Sequence, residues 1–187
     1  LSNKEVSDEI DASKYGFAVT DNPRGLFFEI LSFYEKKNEL SLKRTKIGKD
    51  CKISSTAIIA EYGVEIGDNT YIGDYVVIHS NTCIGNNCII QTGCRIAEQD
   101  LNVYNYNGIN RQVPHNGKVV IGNNVLFSPG VFVGKALYSY GITSIGDNCL
   151  IGTNAGVGHN TIVGNNCEIC ANSAIGGYCT IEDDANS

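Results

Sequence analysis

Methionine is absent from the 187 residues, proline occurs three times, and no run of eighteen apolar residues is present. With Leu1 at the head and no methionine anywhere, the natural start is expected to lie outside this sequence. The lack of a long apolar run excludes a transmembrane helix, and no basic-then-apolar signal segment opens the chain. Positive charge is also scarce: 14 Lys and Arg stand against 20 Asp and Glu, a net charge of -6. Such a chain is not built to neutralise many phosphates, so nucleic acid and anionic membrane surfaces are excluded as general partners. Few prolines beside 21 glycines suit many tight backbone corners and not a disordered linker. The length allows one domain, or one domain with a small appendage.

What the chain does have is a period. Aliphatic residues recur every six positions at Ile66, Ile72, Ile78, Ile84, Ile90 and Ile96. A second series runs Ile121, Phe127, Val133, then Ile145, Ile151, Val157, Val163, Ile169, Ile175 and Ile181. The twelve residues from Val133 to Ile145 keep the register across a break. Gly often follows the aliphatic residue, and Asp-Asn or Asn-Asn comes next, as in Ile84-Gly85-Asn86-Asn87. Period six matches neither a helix (3.6) nor a single long strand (2). It matches a short strand, a corner and another short strand, with Gly and Asn accepting the left-handed backbone angles of the corners. Three hexads then make a triangular coil of 18 residues, and successive coils stack about 4.8 Å apart. Cys51 to Ile59 is read as the first coil, with a slip of one residue between Ile59 and Ile66. At the other end the pattern stops in mid-repeat at Ser187, so a cap on that end is expected to be missing from this sequence.

Eight cysteines invite a metal or disulfide reading, but the period offers a plainer one. Cys51, Cys88, Cys94, Cys149, Cys167 and Cys179 each stand four positions after a repeat aliphatic, a slot that Ala155 and Ser173 also occupy. Small inward-facing side chains are expected there, and a free thiol packs as a small hydrophobe. Cys167 and Cys170 have zinc-like separation, but no second pair matches. Cys149 and Cys167 should stack in adjacent coils, and this number of unpaired core thiols points to a reducing, cytoplasmic setting.

Residues 1–45 lack the repeat and are read as a partial N-terminal α/β segment, with 46–187 as the β-helix and an insertion at about 98–118. Tyr15 to Val19 reads as a short strand. Asn22-Pro23 reads as a helix start with Asn22 as the cap, and the apolar pattern carries that helix to about Glu39. Lys43, Arg44, Lys46, Lys49 and Lys52 make a basic run that is either a solvated linker or a docking point for an acidic carrier or phosphate. The insertion carries Tyr104, Tyr106, the turn pair Asn107-Gly108, Arg111 and His115. A polar, aromatic loop leaving a rigid frame is a candidate substrate contact, with Tyr104, Tyr106 and His115 as its side chains. A smaller departure from the period is Leu137-Tyr138-Ser139-Tyr140.

Of the three histidines, His79 is expected to face solvent and His115 sits in the insertion. His159 lies in Gly156-Val157-Gly158-His159-Asn160, where small neighbours leave its imidazole reachable. An imidazole titrates near neutral pH, so His159 is the candidate general base. The stretch Ile151 to Asn166 resembles the active-site coil of the UDP-3-O-acylglucosamine N-acyltransferases of lipid A synthesis, whose motif is a His-Asn, an aliphatic pair and Gly-Asp-Asn. Asn107-Gly108 through Lys118 to Gly122 resembles that family's insertion, and Ala18 to Arg24 resembles the end of its uridine-binding domain. The sequence departs from the family at Gly156, where the family has Gln, and at Val131 to Lys135, where an Asp-Arg pair is absent. The N-terminal region is also shorter, and the C-terminal helices are missing.

The resemblance implies a left-handed parallel β-helix of hexapeptide repeats that assembles as a homotrimer. It implies that His159 takes a proton from a sugar 2-amine while the amine attacks a thioester. It further implies an oxyanion donor one coil on, which by the 18-residue count is Gly177. Asn160 and Asn22 are then substrate contacts. No tightly bound cofactor or metal is expected; the co-substrate is an acyl-carrier protein or CoA thioester, and the acceptor a nucleotide-linked amino sugar. An acetyl-CoA-dependent acetyltransferase for a surface-polysaccharide sugar and a non-catalytic β-helix scaffold are the competing readings.

Overall fold

A computed structural model describes residues 19–38 and 42–186. The strand expected at Tyr15 to Val19 lies almost wholly outside these residues, as do Glu39 and Ser187. The chain divides into two compact units, one of Leu1–Ser41 with Leu101–Pro114, the other of Leu42–Asp100 with His115–Ser187. Residues 101–114 of the insertion therefore group with the N-terminal segment, where the sequence reading had left the whole insertion with the β-helix.

The larger unit is the β-helix. Among the described residues its strands form three parallel sheets of seven, six and six. The first sheet holds Lys46–Ile47, Val64–Ile66, Thr82–Ile84, Lys118–Ile121, Ile142–Ile145, Ile162–Val163 and Thr180–Ile181. The second starts at Lys52–Ile53 and the third at Ile58–Ile59. Strands so short gain few hydrogen bonds each, and the stacking of coils holds them: in every sheet a repeat aliphatic lies over its counterpart. Ile66 pairs with Ile84, Ile84 with Ile121, Ile121 with Ile145, and Ile145 with Val163. Ile59 pairs with Ile78, which absorbs the one-residue slip. The repeat aliphatics point inward and are buried, from Ile72 and Ile90 through Phe127, the largest fully buried side chain, to Ile151. Burying such a side chain stabilises by roughly 1.5–3 kcal/mol.

The corners explain the asparagines. Asn69, Asn87, Asn124, Asn148 and Asn166 all sit in the left-handed region, with φ between 55° and 58°. Asn tolerates this conformation better than other residues with a Cβ. Their side chains then hydrogen-bond in a ladder: the amide of Asn87 donates to Asn124, Asn124 to Asn148, Asn148 to Asn166 and Asn166 to Asp184.

The cysteine slot behaves as the period requires. Cys88, Cys94, Cys149 and Cys167 are buried, and all eight thiols are free. Each of these four donates its S–H to a carbonyl one coil further on, as from Cys149 to Gly164 at 3.1 Å. Burial pushes the thiols of Cys88, Cys94 and Cys149 above their ordinary pKa.

In the smaller unit the helix Pro23–Asn38 is capped as expected, the Gly25 N–H donating to Asn22 Oδ1 at 2.9 Å. Asn107 and Gly108, with φ of 54° and 76°, turn an antiparallel hairpin of Val103–Tyr106 and Ile109–Gln112. Glu29 joins helix to hairpin, accepting from the Tyr104 hydroxyl at 2.7 Å and from Arg111 at 2.6 Å. No helix among the described residues is long and apolar enough to cross a membrane.

Candidate active site

The end of the third-sheet strand Gly156–Val157 carries His159 to a corner of the β-helix, half-buried. Three contacts hold it. Its backbone N–H donates to Asp100 Oδ2 at 3.3 Å, and its carbonyl accepts from the Tyr178 N–H at 2.9 Å. Its ring Nδ1 lies 3.3 Å from Asn160 Oδ1. That oxygen also accepts from the Leu137 N–H at 2.8 Å. A backbone N–H only donates, so the Asn160 atom facing it must be the oxygen, and the neighbouring Nδ1 must then carry the imidazole proton. In the neutral imidazole the lone pair then lies on Nε2, as a proton acceptor requires.

Nε2 points at the next coil. A Cβ added to Gly177 would stand 2.6 Å from it, so only glycine fits there without moving the imidazole. Counting one coil onward from His159 is thus matched by contact in space. The peptide between Gly176 and Gly177 is oriented from below: buried Thr161 donates its hydroxyl to the Gly176 carbonyl at 2.7 Å. Since C=O and N–H lie on opposite sides of a trans peptide, the Gly177 N–H is turned away from the core. It has no protein acceptor among the described residues. Added Cβ atoms at Gly156 and Gly176 would meet nothing within 4 Å, so neither glycine is required by close packing.

His115 is drawn in from the other end of the insertion. It is 0 % exposed, its ring lies 5.1 Å from that of His159, edge to face, and Gln99 clamps it. Gln99 Oε1 accepts from the His115 backbone N–H at 2.9 Å and lies 3.2 Å from its Nδ1. The structure therefore brings His159, Asn160, Gly177 and His115 together, with His115 behind the imidazole and out of solvent. Asn22, Tyr104 and Tyr106 fall in the other unit. There Asn22 caps the helix and donates to the Asn105 carbonyl at 2.8 Å. Tyr104 is buried against Phe28, and Tyr106 is half-buried with Arg111 over its ring. His79, expected in solvent, is partly covered and pairs with Glu98 at 3.3 Å. Burial opposes ionisation of Glu98, but the Gln99 N–H and His79 together outweigh it and hold the carboxyl below its ordinary value. Among the described residues no group of three or more His, Cys, Asp or Glu could hold a metal.

Sequence reasoning missed Asp100, Thr161 and Tyr178. Thr161 left no distinct signal, since Thr70, Thr82 and Ser173 put hydroxyls in the same slot; Tyr178 could have been found one coil on from Asn160, and Asp100 acts through a folding contact that no spacing displays.

The bacterial transferase hexapeptide family (six repeats) matches residues 63–98 and 142–177. The hexapeptide repeat of succinyl-transferase matches residues 44–78. No curated protein matches the chain. Among solved structures, a UDP-N-acetylglucosamine acyltransferase from Campylobacter jejuni is 21 % identical, over 76 % of this chain and 62 % of that one, with a TM-score of 0.44. The LpxA structure from Acinetobacter baumannii is 22 % identical, over 76 % and 69 %, with a TM-score of 0.43. The chain thus spans about three-fifths of the length of the first of these. Residues 63–98 and 142–177 thus match the repeat of the bacterial transferase hexapeptide family, and the strand register stacks the coils as a parallel β-helix.

Proposed function

We propose that this protein is an acyltransferase that moves an acyl group from a thioester to the amine of a nucleotide-linked amino sugar. The observation that carries the reading is the close approach of His159 Nε2 to Gly177, one coil on. The match to transferase repeats supports it.

The chemistry needs these two groups and little else. The amine nitrogen attacks the thioester carbonyl carbon, and Nε2 takes the proton that the nitrogen sheds. Charge gathers on the carbonyl oxygen, where the Gly177 N–H would meet it; one such donor lowers the barrier by about 3–4 kcal/mol. The C–S bond then breaks as the amide C–N bond is completed, and the imidazolium returns its proton to the leaving thiolate. Asn160 keeps Nδ1 protonated throughout, so that Nε2 is the atom that cycles. The donor is an acyl-carrier protein or CoA thioester, the assembly a homotrimer and the compartment the cytoplasm.

Mass spectrometry of UDP-amino sugars incubated with acetyl-CoA, or with hydroxyacyl carrier protein, tests this. A product is expected with one donor, and His159→Ala should remove nearly all of it while leaving the melting profile in place. No product with either donor, or undiminished product from the variant, would overturn the reading.

A further inference from the structure

Beside His159 lies a group of aromatic rings that the transfer steps do not employ. Tyr138 and Tyr140 stack with centroids 5.4 Å apart and planes 12° from parallel. They belong to the excursion of 135–141, which the active-site asparagine holds at two points. Leu137 donates to Asn160 Oδ1, and Gly141 leaves no room for a Cβ against Asn160 Nδ2, at 2.6 Å. Tyr178 follows Gly177, and its ring meets that of His159 at 5.2 Å and 88°. Asn160, next to His159 in the chain, thus ties the excursion that carries Tyr138 and Tyr140 to the corner that Tyr178 meets from the next coil.

Packing does not account for Tyr140 or Tyr178. Tyr140 is 82 % exposed and Tyr178 60 %. Tyr178 also occupies a left-handed corner, φ 61°, where the same corner one coil earlier holds Asn160. That backbone is unfavourable for a large side chain, and an asparagine would fill the corner at less strain. Large exposed rings around a reactive imidazole are suited to a ligand that offers a flat apolar face and a polar rim. A pyranose does so: its axial C–H groups lie against ring faces, and its hydroxyls reach phenol oxygens at the edges. A thioester arm is thin and flexible and gains little from stacking.

We propose that Tyr138, Tyr140 and Tyr178 form a stacking platform for the pyranose ring of the acceptor sugar, presenting its amine to His159 Nε2. The platform rests on the acyl-transfer reading for its purpose, but its test is a binding measurement that does not need turnover.

Saturation-transfer NMR and calorimetry would follow UDP-glucosamine, glucosamine 1-phosphate and UDP on the wild-type chain and on Tyr178→Ala, Tyr140→Ala and Tyr178→Phe. Affinity for both sugars should fall about tenfold in the two alanine variants, while Tyr178→Phe and UDP alone are little changed. Tyr140 is so exposed that its alanine variant should fold as the wild type does. Unchanged sugar affinity in both alanine variants, an equal loss for UDP alone, or no sugar binding by the wild-type chain would overturn the platform. A shift in acetyl-CoA affinity in place of sugar affinity would do the same. Sugar binding that persists in His159→Ala, with no product from the wild type, would sink the transfer reading and leave the platform standing.

Discussion

A single imidazole is positioned here by three neighbours on three different turns of chain: Asp100, Asn160 and Tyr178. The partnership of His159 with Gly177 was legible in the sequence, because a fixed coil length converts distance along the chain into distance in space. Thr161 was not, since its effect depends on which carbonyl its hydroxyl meets. Thr161→Val keeps the volume but releases the Gly176 carbonyl, so the Gly177 N–H should lose its fixed direction. We expect kcat to drop about tenfold, ~1.4 kcal/mol, with KM nearly unchanged. Loss in KM alone would assign Thr161 to substrate binding. The thiols offer a second check at this scale. Brief iodoacetamide treatment at pH 7.5, read by peptide mass spectrometry, should label exposed Cys170 and Cys83 well before Cys88, Cys94 and Cys149. Burial both shields those three and suppresses their thiolates. Of the exposed pair Cys83 should be the slower, because partial burial and Glu65 raise its pKa.

At the level of elements, neighbouring turns are strapped by side chains as well as by strand pairing. His79 and Glu98 form such a strap. Glu98 titrates below its ordinary value of 4.5 in the folded chain. A carboxyl so lowered adds stability above its unfolded pKa, and the gain vanishes as pH falls through the folded value. Urea midpoints of the wild type and Glu98→Gln should therefore differ at pH 7 and converge as the pH falls through the lowered carboxyl value; a gap that persists after full protonation would assign the difference to packing. Asn107-Gly108 announced its hairpin in the sequence because a two-residue turn leaves little choice of residue. The grouping of residues 101–114 with the N-terminal segment could not be read, for it hangs on Glu29 meeting Tyr104 and Arg111 far along the chain. The burial of His115 could not be read for a similar reason: an insertion is expected outside, but Gln99 holds its closing end against His159.

For the molecule as a whole, stacking makes stability a sum over neighbouring coils. The stacked triangular coil was open to reading from the repeat alone, since period six leaves few alternatives; its hand was not. How firmly each coil is held could not be seen there. Central aliphatics such as Ile90, Phe127 and Ile151 are fully covered, whereas Ile47 is 49 % exposed and Ile53 and Ile59 are only partly buried. Hydrogen exchange should accordingly be fastest at residues 46–59 and slowest around 89–96, 125–133 and 149–157. Uniform protection along the helix would contradict the additive picture.

The asparagine ladder closes across sequence gaps of 37, 24 and 18 residues with the same side-chain contact each time. The frame is therefore indifferent to what leaves and re-enters it at two ports, one at Gln99 and one at Lys135, both beside the same imidazole. Segments of other lengths and compositions exchanged at these ports would alter the surroundings of the imidazole while leaving the register of the core in place.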